Sequence, residues 1–90
     1  MVIGLIMSGI YPEYFFIKIN ENSFKQGRLT ISKMEGSQYM LEVDIVQSDS
    51  HKILSHVGVF LKIDSLLEAK ELGRQKILEF VSHSFDGVAR

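Results

Sequence analysis

Near Asp64 the hydrophobic rhythm of this chain changes. Before that point apolar residues alternate one by one; after it they recur every three or four positions. Alternation belongs to a strand with one covered face, and the longer period belongs to a helix with one apolar stripe. A chain that makes this change once, and late, has few ways to bury both patterns. The simplest is to pair the early segments into a sheet and lay the last segment across it.

The segments support that reading. "QYMLEVDIV" (38–46) puts Tyr39, Leu41, Val43 and Ile45 on one face, with Met40, Glu42 and Asp44 on the other. "RLTISKM" (28–34) sets Leu29 and Ile31 against Arg28, Thr30 and Ser32. "YFFIKIN" (14–20) is rich in aromatic and β-branched residues, with Phe15, Ile17 and Ile19 on one side. "ILSHVGVFLKI" (53–63) reads as a fourth strand in which Gly58 predicts a bulge or a break. Between them, "ENSFKQG" (21–27), "EGS" (35–37) and "QSDSHK" (47–52) carry turn chemistry. Links this short connect antiparallel neighbours, so the strands should follow one another as a meander.

Ser65-Leu66-Leu67-Glu68 matches a capping box, with Asp64 as the rival cap. The spacing predicts a helix over about 66–83, ending near Gly87. Leu66, Ala69, Gly73, Ile77, Phe80 and Val81 form its stripe, flanked by Leu67, Leu78 and Phe85. Gly73 costs a helix up to about 1 kcal/mol relative to alanine. Close packing of the Ala69–Gly73 surface on the sheet is the expected compensation. Lys70 and Arg74 border the stripe, where their stems can cover apolar surface; the functional alternative is an anion-facing pair at the sheet edge. The expected fold is thus α+β: a three- to four-stranded antiparallel meander with one C-terminal helix packed across one face. Residues 1–12 are expected to be a tail or an extra strand, and 13–87 a single domain.

Composition narrows the function. With 90 residues and 46% apolar content, the chain can build one core, on a thin stability margin. It has no cysteine, which excludes disulfides, thiol catalysis and thiolate metal sites and fits a cytoplasmic protein. A net charge of −1 and a pI near 6.3 give no overall basic footprint for nucleic acid. "MVIGLIMSGI" lacks the pattern of a signal peptide. It is also shorter than the ~20 apolar residues needed to span a bilayer, so no membrane association is expected.

Little catalytic chemistry is readable. His51 and His56 would fall on opposite faces of a regular strand, and His83 is expected at the helix end, so no metal site is predicted. Glu42 and Asp44 share a face about 7 Å apart by strand rise and read as the solvated side of an amphipathic strand. No nucleophile, base and orienting group recur together, and no phosphate-binding glycine loop occurs. The chain is therefore expected not to be an enzyme and to carry no cofactor. Charge is segregated. Lys18, Lys25, Arg28 and Lys33 fall in the first hairpin, and Glu35, Glu42, Asp44 and Asp49 follow. Strands of opposite charge attract across a ladder; the alternative is a basic face for nucleic acid.

"LLEAKELGRQKILEFV" resembles the closing helix of double-stranded-RNA-binding domains, which also follows a three-stranded antiparallel sheet. Those domains place paired lysines at the start of that helix, where this chain has Ser65, Leu66 and Leu67. Residues 14–83 resemble small uncharacterised bacterial domains in the Gly58 and Phe60 approach and in Glu68, Ala69, Gly73 and Arg74 of the helix. That resemblance implies a sheet-plus-helix fold and no assigned activity. The arm-type DNA-binding domains of phage integrases share the outline, but read DNA with basic and polar residues on the open sheet face, where this chain carries Glu42 and Asp44.

One helix covers one face, which leaves the second to something else. Phe16, Met34, Met40 and Val46 are expected there, with Leu54 and Phe60 as neighbours and Lys70 and Arg74 at the rim. The leading expectation is a non-catalytic accessory module that binds a protein partner or itself, most simply as a homodimer. The alternative is a nucleic-acid binder using Lys18, Lys25, Arg28 and Lys33 together with Lys70 and Arg74.

Overall fold

The computed structural model describes residues 11–19 and 24–89, with side chains as far as His83. The strands are β1 (Glu13–Lys18), β2 (Lys25–Lys33), β3 (Tyr39–Gln47) and β4 (Ile53–Ile63), followed by helix α1 (Leu66–Ala89). They form one antiparallel sheet in the order β1-β2-β3-β4. The fold is the α+β meander with a single C-terminal helix. Residues 1–10 of the expected tail lie outside the described residues.

The elements form for the reasons their patterns suggest. Leu29, Ile31, Leu41, Val43 and Ile45 all point to the helix side and are buried. Ala69 and Ile77 meet them from the helix, while Phe15, Ile17, Ile19, Tyr39, Leu66 and Phe80 close the margins. Ser65 caps the helix: the Glu68 backbone N–H donates to its Oγ at 3.0 Å. Asp64, the rival cap, instead accepts a hydrogen bond from Gln38 Nε2 at 3.2 Å, tying the β2–β3 turn to the helix start. The link 35–37 is a short 3-10 turn with Gly36 and Ser37 at positive φ.

Helix and sheet lock through two reciprocal glycine contacts. A Cβ on Gly73 would stand 2.5 Å from Leu29 Cδ2 and 2.7 Å from Cδ1. A Cβ on Gly27 would overlap Ile77 Cδ1. The leucine of β2 thus fills the gap left by the helix glycine, and an isoleucine one helical turn on fills the gap left by the strand glycine. This explains one difference from expectation. Gly27 was expected in the turn, yet β2 begins at Lys25 and runs through it, because the missing side chain is what admits Ile77. A second difference lies at the other end. Helix α1 continues through Gly87 to Ala89; glycine permits a helix stop but does not compel one. His83 therefore sits more than a turn inside the helix, where its Nδ1 donates to the Glu79 carbonyl at 2.9 Å.

Lys70 and Arg74 flank the stripe as expected. The Lys70 ammonium lies 4.5 Å from the centroid of the Phe15 ring, in cation–π range. Arg74 is exposed one turn further on.

Candidate functional site

The register of the three ladders builds one row across the open face. Phe16 on β1 pairs with Arg28 on β2, Arg28 with Asp44 on β3, and Asp44 with His56 on β4. Glu42 lies two residues from Asp44 on the same face, between Thr30 and Val59.

A bulge in β4 makes the row possible. Asp44 pairs with His56, but Val43, its neighbour on β3, pairs with Gly58, so Val57 is an extra residue. In a regular strand His56, Gly58 and Phe60 would share a face. The inserted residue shifts the phase: Gly58 and Phe60 go with Val43 and Leu41 on the helix side, and His56 turns to the open side. His51 reaches the open side as well. It has positive φ in the β3–β4 turn and stacks on Phe16, with ring centroids 4.4 Å apart and planes at 22°. The expectation that His51 and His56 face opposite ways fails because neither lies in a regular run of strand.

The centre of the row is polar and partly dry. The Asp44 side chain is 0% exposed, Arg28 19%, Glu42 38% and His56 52%. His56 Nδ1 donates to Asp44 Oδ1 at 2.7 Å, and Glu42 Oε2 stands 3.9 Å from the same nitrogen. From the other side Arg28 Nη2 approaches Asp44 Oδ2 at 3.6 Å. That is an ion pair but too long for a hydrogen bond. Arg28 Nε and Asp44 Oδ2 are both buried without a hydrogen-bond partner. The guanidinium also lies 5.9 Å from the centroid of the Tyr14 ring. The attraction expected between the basic hairpin and the acidic strand is therefore made, by Arg28 and Asp44. Asp44 itself is not the solvated carboxylate its position in an alternating strand suggests. Arg28 on one adjacent strand and His56 on the other lie over it.

The residues expected to form an apolar patch are dispersed. Phe16 is 43% exposed on the open face. Met40 is half-buried there beside Ser32, and Met34 is half-buried at the end of β2. Val46 is fully buried and offers a partner no side-chain surface. Leu54 is 44% exposed on the edge strand. Phe60 belongs to the helix side, where Lys76 lies over its ring and a shallow hollow of about 280 Å³ runs between β4 and α1. Exposed apolar side chains that the strand pattern did not single out are Tyr14, Phe24, Ile53, Val59 and Leu61.

The basic residues divide between the faces. Lys18 and Arg28 are in register with the open side. Lys25 and Lys33 alternate with Arg28 and fall in phase with the helix side, where the Lys33 ammonium is 5.8 Å from the Tyr39 ring centroid. They do not form one positive surface.

No family model, curated protein or solved structure matches this chain. The resemblances drawn from the helix and from residues 14–83 rest on the quoted residues alone. No helix among the described residues is long and apolar enough to cross a membrane.

Proposed function

We propose that this chain is a small non-catalytic interaction module that self-associates, most simply as a homodimer joined through the open face of its sheet. The observation that carries the reading is the apolar surface on that face and its edge strand: Tyr14 is 54% exposed, Phe16 43%, Ile53 49% and Val59 48%. Large apolar side chains left exposed at the two margins of one sheet face support an interaction surface there.

The face is favoured over the edge. β4 is a long terminal strand of 11 residues, but its register is broken at three places. Bulges of this kind keep an edge from templating another strand. The aromatic and aliphatic side chains at the two margins are better suited to face-to-face contact.

Light scattering on the full chain at micromolar concentration tests the proposal. The expected mass is that of two chains. Substituting Val59→Lys or Phe16→Glu, both on exposed positions, should return it to one. A strict monomer at these concentrations, with no partner retained in a pull-down, overturns the reading.

A further inference from the structure

We propose that Glu42, Asp44 and His56 form a binding site for a divalent transition-metal ion of the zinc type. Each offers one donor atom, and the three donors all lie within 4.8 Å of one another. His56 Nδ1 is 2.7 Å from Asp44 Oδ1 and 3.9 Å from Glu42 Oε2. Zinc bonds to nitrogen and oxygen are about 2.0–2.2 Å long, so tetrahedral neighbours stand ~3.3 Å apart. The first separation must open and the second close by roughly 0.6 Å to match. His56 and Glu42, both partly exposed, can make that adjustment while Asp44 stays fixed.

Two further observations point to a cation. Asp44 is wholly buried, yet its Oδ2 has no hydrogen-bond partner. Arg28 answers that oxygen only at ion-pair range, so the buried carboxylate keeps negative charge for a cation at Oδ1. Arg28, 3.6 Å from Oδ2, holds the carboxylate from behind and leaves Oδ1 facing His56. Supporting partners of this kind orient metal ligands. Two carboxylates and one guanidinium also leave the cluster net negative. The donor set selects the metal: an imidazole with two carboxylates suits zinc and its neighbours, whereas calcium and magnesium prefer oxygen alone. The β4 bulge, which brings His56 to this face, is the kind of irregularity that re-aims a side chain beside a functional site. All three ligands come from one chain, so the site does not depend on self-association.

The experiment is calorimetric titration of the chelator-treated full chain with zinc chloride, alongside thermal unfolding with zinc, magnesium or calcium. One equivalent of zinc should bind and raise the melting temperature, and magnesium and calcium should not. Glu42→Gln and His56→Ala should each weaken binding by at least about tenfold, the loss typical even of a supporting partner; His51→Ala should leave it unchanged. Circular dichroism shows whether each variant is folded. Glu42→Gln, which keeps shape and size, decides the matter if His56→Ala unfolds. Absence of zinc binding by the parent chain overturns the proposal. So does zinc binding that the Glu42→Gln substitution leaves intact.

Discussion

At the scale of single residues, two positions concentrate the energetics. Asp44 is a buried carboxylate held between Arg28 and His56. Removing one partner of a buried charged pair leaves the other uncompensated, at about 3–5 kcal/mol. Arg28 keeps some solvent access, so Asp44→Ala should fall near the low end, about 3 kcal/mol, measured by urea unfolding. Gly73 is the second. Alanine there would gain up to about 1 kcal/mol of helix propensity, but its Cβ would meet Leu29 at 2.5–3.0 Å. Leu29 is fully buried, so its side chain would have to shift inside the packed core. Overpacking costs about 1–3 kcal/mol, so Gly73→Ala should destabilise, and the loss should shrink when Leu29 is also made alanine. A double-mutant cycle reads that coupling directly. The helix side of this contact was legible: Ala69 and Gly73 one turn apart announce a close approach. The strand side was not. Gly27 follows a turn-like segment, and only the register shows that it opens a seat for Ile77.

Elements were more legible where one rule acted alone. β3 alternates without interruption, and the helix declares its start with Ser65. Because the Ser65 hydroxyl accepts from the Glu68 N–H, Ser65→Ala should cost about 1 kcal/mol. Asp64→Ala should cost less, since Asp64 contacts a turn rather than an orphan helix donor. The denaturation midpoints of the two variants decide which residue is the cap. β4 was legible in extent but not in phase. Gly58 signalled irregularity, yet nothing in "ILSHVGVFLKI" says which side of the glycine holds the extra residue. The phase comes from pairing with β3, a non-local property. Deleting Val57 should restore strict alternation while leaving His56 opposite Asp44 and Gly58 opposite Val43, so that no residue changes face. The expected result is retention of the His56–Asp44 contact, seen in the imidazole NMR resonances, with the melting temperature lowered only by the lost packing of Val57 against the core.

At the scale of the molecule, the change of rhythm at Asp64 was enough to specify the architecture, since a four-strand meander has one wet face and one helix can cover only the other. It was not enough to describe the wet face. Alternation assigns residues to sides but does not say how deep they lie, and here Asp44 and Val46 are buried on the side without a helix. The open face is apolar at its two margins, around Phe16 and Val59, and ionic through its middle. A visitor with a uniformly greasy surface would have to strip water from Arg28, Glu42 and His56 and return nothing. Such a layout discriminates by penalty: it admits surfaces that bring polar or ionic answers to the centre and turns away those that offer only oil.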